Sequence, residues 1–305
     1  MVRAIGLLAV ANGILIGVPS HAQSPAVSKP CSSPTVANEK PQANADGEVR
    51  APEEKYQAFR KVIIDRIEFD RPVMVSPTDV EQVIKNANKH EWGADSSDWV
   101  NDLSEWDLRG AWQDQGYLKA ALEAHAQPAG GDPDHEHFIV MVHVVNEGPQ
   151  YHLGNLEFVD STVFPEAELG QVFSLREGEI FNIQRVREGI EGLTKLYGSR
   201  GYIDFTMTPE TEVDDKLQRI SLVMHLDEQR QYHVGSINMQ GLDSVLETRL
   251  RAIIVPGEVF NAQAFDEFFK ENRSGLPTHG VDNFDIRLNS KAGIVDLTFA
   301  PRRCP

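Results

Sequence analysis

Histidines and carboxylates crowd together in the stretch DPDHEHF at 132–138, where His135 and His137 stand two apart beside Asp132, Asp134 and Glu136. Strand positions two apart share a face, so two imidazoles here could hold a metal ion weakly. The same residues also read as a polar hairpin loop entering a strand, the blander and preferred account. No metal and no cofactor is assigned. The sequence contains no G-x-S-x-G elbow, no H-E-x-x-H, no phosphate-cradling G-x-x-x-x-G-K-S/T and no C-x-x-C pair. With no catalytic residue to name, the reading is non-enzymatic.

Two further residue types invite a chemical role. Cys31 and Cys304 lie near opposite ends of the chain. In an oxidising compartment they can pair across a very long loop, or stay free or intermolecular, and the sequence leaves both open. All four tryptophans, Trp92, Trp99, Trp106 and Trp112, fall between 92 and 112. At about 100° per residue Trp99, Leu103 and Trp106 share one helix face, with Leu108 and Trp112 roughly opposite. Such a cluster is either the core of an irregular domain or a part-exposed aromatic patch for a partner. Trp99 and Trp106 are the candidate contacts.

The elements that would position these residues begin after an address segment. Arg3, the apolar run 4–18 and Ser20-His21-Ala22 read as a secretory signal over 1–22, an uncleaved anchor being the alternative. The apolar run falls short of the roughly 20 residues a membrane span needs. No later stretch reaches that length, so no transmembrane segment is expected in the mature chain. Residues 23–57, rich in Pro, Ala and Ser, read as a flexible tether. Removing Arg3 leaves 28 basic against 46 acidic side chains, a net −18. That charge disfavours nucleic acid or an anionic lipid surface as the main ligand.

The remaining chain repeats itself. QYHLG at 150–154 recurs as QYHVG at 231–235, and GEIFN at 178–182 recurs as GEVFN at 257–261. Gly116-Tyr117 and Gly201-Tyr202 form a third echo. Three units follow, 58–148, 149–229 and 230–301, with a tail at 302–305. In the middle unit Asn182 caps a helix whose apolar face is Val186, Ile190, Leu193 and Tyr197. Gly198 and Gly201 end it, and an alternating strand is expected at 202–208 with Ile203, Phe205 and Met207 inward. In the third unit Phe265, Phe269 and Leu276 take the positions of Val186, Ile190 and Tyr197, Asn272 interrupts, and Phe284 matches Phe205. In the first unit Leu108 and Trp112 match Leu193 and Tyr197, while Asn101 and Glu105 interrupt. The fold class is α+β, as tandem β-α-α-β-β units.

Gly178, Glu179 and Phe181, then Leu196, Tyr197, Gly201 and Tyr202, then Gly235, resemble the motif order of POTRA domains in BamA-type outer-membrane assembly proteins. The resemblance implies a three-stranded mixed sheet on two helices in each unit, with the strand that opens the hairpin at an edge. It also implies a non-enzymatic, periplasmic role, with a place peripheral to the outer membrane left open. The expected partners are polypeptide clients or assembly subunits, with association to an outer-membrane barrel protein also open. The sequence ends soon after the third unit, so a free-standing array without a barrel is expected. Partner binding is expected by strand addition at 202–208, with Tyr202, Asp204, Thr206 and Thr208 as contacts. Thr206→Pro is the substitution expected to be tolerated there. The alternative is an envelope-organising structural protein of the cell-division type, anchored if the signal stays uncleaved.

Overall fold

The computed structural model describes residues 60–94, 98–240, 242–272 and 284–299. The signal, the tether, Cys31, Cys304, Leu276 and the tail lie outside them. Two compact units result, one ending at Gln150 and one beginning at Tyr151.

The first unit contains β1 (Lys61–Phe69), α1 (Pro77–Ala87), α2 (Asp98–Asp102), a π-helical turn (Leu103–Leu108), α3 (Arg109–Asp114), β2 (Ala121–Gly131) and β3 (His135–Asn146). Ser76 starts α1 through a capping box with Asp79, and Pro77 occupies the first turn, where its missing N–H costs nothing. Alternation on β3 buries Phe138, Val140, Val142 and Val144 against Trp99, Leu103, Leu108 and Trp112. Leu108 and Trp112 are buried, as their repeat positions implied. The interruptions at Asn101 and Glu105 are exposed, because the wider π turn changes the phase of the helical face there.

The second unit runs through β4 (His152–Val159), α4 (Glu166–Val172), α5 (Ile183–Ser199), β5 (Thr206–Asp214) and β6 (Arg219–Asp227). It continues with β7 (His233–Met239), α6 (Ser244–Ile253), α7 (Ala262–Glu271), β8 (Phe284–Asn289) and β9 (Ile294–Phe299). Asn182 caps α5 and Asn261 caps α7, their side chains accepting from Arg185 N (2.7 Å) and Ala264 N (2.9 Å). Val186, Ile190, Leu193 and Tyr197 are all buried on one face. The match continues in α7 through Phe265, but α7 stops at Glu271. Asn272 caps it, donating to Phe268 O (2.6 Å) while accepting from Arg249 (2.7 Å).

Each sheet has the same order, β1-β3-β2, β4-β6-β5 and β7-β9-β8, with a parallel outer strand and an antiparallel hairpin. The repeated pentapeptides have matching tasks. Gly154 and Gly235 sit at irregularities in β4 and β7, where a Cβ would meet Ser221 Oγ at 2.7 Å or Asp296 Oδ1 at 2.5 Å. The G-E-x-F segments cover the outer edges of those strands, through Leu153 N to Glu179 O and Val234 N to Glu258 O, both 2.8 Å. Val62 N to Trp92 O (3.0 Å) does the same for β1. Among the described residues the hairpin-opening strands β2, β5 and β8 each pair on one side only.

Candidate interaction edge

The direction of each backbone group on β5 follows from the central strand. His152 N donates to Gln218 O at 2.9 Å, so Gln218 faces β4 and, by alternation, Arg219, Ser221, Val223, His225 and Asp227 face β5. Their partners on β5 are Asp214, Glu212, Glu210, Thr208 and Thr206. Met207, Pro209, Thr211 and Val213 therefore point their backbone groups outward. Pro209 has no N–H, so the edge, to which no other described strand pairs, offers three donors and four acceptors. Its solvent face carries Thr206, Thr208, Glu210, Glu212 and Asp214, all exposed. Glu210 pairs with His225 at 3.0 Å.

The expected strand at 202–208 needs correction. β5 starts at Thr206, and Tyr202 and Asp204 lie in a turn closed by Phe205 N to Tyr202 O (3.2 Å). The reason is the end of α5. Gly201, at φ 82°, closes a Schellman cap in which Gly201 N donates to Gly198 O (3.1 Å) and Tyr202 N to Tyr197 O (3.0 Å). The same turn then receives the third β-α-α-β-β repeat. Tyr232 N donates to Gly201 O (2.8 Å), Tyr232 OH to Asp204, and Gln231 Nε2 to Arg200 O (2.9 Å). Ile203 packs against the apolar core of that repeat. Asp204 is thus engaged within the chain, while Tyr202 is half-buried edge-on to Tyr197 at 6.1 Å. Gly198 does not terminate the helix; it lies within α5, where a Cβ would come 3.5 Å from that of Ala262.

Thr206 and Thr208 stand on the strand, but their backbone groups face β6. Proline at Thr206 would break the sheet rather than spare it, so that test moves to Thr211 or Val213. Phe284 aligns through its hairpin with Pro209, not with Phe205. Trp99 is no contact surface. It is 4% exposed and packs on Phe138 with ring centroids 5.0 Å apart. Trp106 is 60% exposed, because the π turn rotates it off the face of Trp99 and Leu103. His135 and His137 pair with Asp132 (3.1 Å) and Asp65 (2.6 Å), and no metal-holding group of three occurs among the described residues.

Sequence reasoning missed Glu228. It is 9% exposed and accepts from Thr162 N and Oγ1, Val163 N (3.0 Å) and Tyr197 OH (2.7 Å). Burial pushes its carboxyl up, but hydrogen bonds from Thr162, Tyr197 and Val163 outweigh that and hold it below the ordinary 4.5. Burial first, then Glu228, raises the Tyr197 phenol above its ordinary 10.0. Glu147 repeats the device in the first unit, accepting from Trp112 Nε1 (2.9 Å) and Met74 N (3.0 Å). The available signal was a glutamate three residues before each Gln-Tyr, in EGPQY and EQRQY.

Residues 151–229 match the POTRA family model, described as surface antigen variable number repeat. The chain is 27% identical over 270 residues to the outer membrane protein assembly factor BamA of Neorickettsia risticii, covering 80% of this chain and 34% of that protein. It is 26% identical over 172 residues to BamA of Neisseria meningitidis serogroup B, covering 50% and 21%. The chain thus spans about a third or less of these relatives' length. A crystal structure of Haemophilus influenzae BamA POTRA3–5 aligns with 79% of this chain and 95% of its own, at 18% identity and TM-score 0.49. Among the described residues no helix is long and apolar enough to cross a membrane.

Proposed function

We propose that this chain, whose repeats are tandem POTRA domains of the BamA type, is a non-enzymatic periplasmic scaffold. It is delivered there by the signal segment and binds polypeptide partners in outer-membrane protein assembly or secretion. Binding proceeds by strand addition to β5. The observation that supports this reading is a nine-residue strand that, among the described residues, is paired on one side only. Main-chain pairing reads no side chain, so one edge can accept many partner sequences. Pro209 limits the register: an incoming strand pairs chiefly with Thr211 and Val213. Partners then lie along a face bearing Glu210 and Glu212, which suits basic or neutral strands better than acidic ones.

The test is crosslinking of extended client peptides to the wild-type chain and to Thr211→Pro and Val213→Pro. Both positions donate outward, so each variant is expected to fold with an unchanged β5–β6 ladder and to lose most client capture. Full capture by both folded variants would rule out β5 as the docking edge.

A further inference from the structure

Three of the four tryptophans are taken up by the first unit itself. Trp92 stacks on His90 with ring centroids 4.8 Å apart, Trp99 packs on Phe138, and Trp112 meets Phe69 edge-on at 5.8 Å while donating to Glu147. Trp106 is 60% exposed, and among the described residues it has no ring, cation or hydrogen-bond partner. Its exposure is made by a distortion. An uninterrupted α-helix would carry Trp106 inward with Trp99 and Leu103, and the π turn Leu103–Leu108 rotates it out. Such turns are rare and frequent at functional sites. Four residues later, within α3, stands Gly110, where an added Cβ would meet nothing within 4 Å. Packing therefore does not require glycine there, although glycine is a poor residue inside a helix. Four residues earlier stands Asp102, exposed and without an ion pair among the described residues. Residues four apart share a face in α- or π-helical geometry, so Asp102, Trp106 and Gly110 form one stripe.

We infer that this stripe receives a basic segment of a polypeptide partner, whose arginine stacks on Trp106 and pairs with Asp102 while its backbone crosses at Gly110. The face of an indole attracts a cation, and the planar guanidinium of arginine stacks on it better than a lysine ammonium does. Asp102 supplies the opposite charge one turn away. The adjacent carboxylate, Glu105, already holds Arg109 at 3.2 Å, so the same helix shows this pairing within the chain and leaves Asp102 for a guanidinium from outside. Bare backbone at Gly110 lets a second main chain approach closely. The chain carries a net charge of −17, which draws cationic segments and repels anionic lipid. This contact lies away from β5 and does not rest on strand addition. It is exposed and built from few groups, so it is expected to be weak and salt-sensitive.

The probe is a dye-labelled peptide of repeated Gly-Arg-Ser, titrated with the full chain at low salt and read by fluorescence anisotropy. Peptides of repeated Gly-Lys-Ser and Gly-Gln-Ser are the comparators. The wild type is expected to bind the arginine peptide most tightly, the lysine peptide more weakly and the glutamine peptide not at all. Trp106→Ala is expected to weaken arginine-peptide binding about five- to thirty-fold. Asp102→Asn is expected to weaken it about two- to fivefold. Gly110→Leu, which fills the crossing point, should weaken it too, each variant keeping wild-type circular dichroism. Asp102→Asn leaves the indole in place, so it stands as a test even where Trp106→Ala alters the helix. Thr211→Pro is expected to bind the peptide as the wild type does, which separates this contact from the β5 edge. Arginine-peptide binding that ignores both Trp106→Ala and Asp102→Asn is general attraction to an acidic chain and overturns the proposal. No binding by the wild type overturns it as well. Cosedimentation with phosphatidylglycerol vesicles that Trp106→Ala abolishes would overturn a polypeptide as the occupant.

Discussion

Removing the carboxylate of Glu228 should unfold the middle repeat at markedly lower temperature. One side chain accepts four hydrogen bonds there, from two backbone N–H groups, the Thr162 hydroxyl and the buried Tyr197 phenol. A hydrogen bond to a charged group is worth about 1.5–3 kcal/mol, and an orphaned buried donor costs about 1–3 kcal/mol. The four share one acceptor and do not add, so Glu228→Ala is expected to cost about 3–5 kcal/mol. Glu228→Gln keeps one acceptor oxygen and should cost about 1–2 kcal/mol. At about 4–8 °C per kcal/mol for a domain of this size, the alanine variant should melt at least about 12 °C lower by far-UV circular dichroism. Tryptophan fluorescence provides the control, because all four tryptophans lie between 92 and 112 in the first unit. That signal should keep its wild-type midpoint. The pH dependence carries a sign. Hydrogen bonding holds the folded pKa below 4.5, so the stabilisation is complete above the unfolded value and lost as pH falls through the folded one. The gap between wild type and Glu228→Gln should be full near neutrality and close in acid. A cost for Glu228→Ala under about 0.5 kcal/mol, against typical burial penalties, would refute the reasoning.

Two glycines with the same backbone conformation should respond differently to alanine. Gly178 (φ 83°) has nothing within 4 Å of an added Cβ, so Gly178→Ala should cost about 1–2 kcal/mol from conformation alone. Gly201→Ala also drives a Cβ to 2.7 Å from Tyr232 O. It should cost more and raise the rate of limited proteolysis between 227 and 233. Acrylamide should quench Trp106 far more than Trp99 or Trp112, which are 4% and 0% exposed, and Trp106→Phe should remove most of the quenchable signal. Tyr197 and Tyr232 both have phenols raised above 10.0, with burial the first cause and Glu228 or Asp204 adding to it. Their stabilisation is complete below the unfolded value and lost as pH rises through the folded one. Absorbance at alkaline pH should therefore show two tyrosines ionising above the ordinary 10.0.

What the sequence carries by itself is whatever repeats or alternates over short range. The recurrence of QYHLG and GEIFN shows a repeated unit, Asn182 marks a helix start, and the spacing of Val186, Ile190, Leu193 and Tyr197 marks its buried face. Gly201 marks its end. Each depends on the geometry of a single helix or strand, which neighbouring residues specify. The tertiary structure decided the rest. Alternation near Tyr202 looks like a strand, yet residues 201–204 are held as a turn because Tyr232, Gln231 and the core of the next domain bind them. Trp99 and Trp106 share a face only in an uninterrupted α-helix, and the π turn that separates them leaves no local composition signal. Whether a backbone group on β5 faces β6 or points outward depends on which neighbour the central strand faces. That parity is fixed by pairing across the whole domain, where Gln218 meets His152, and no window along one strand contains it.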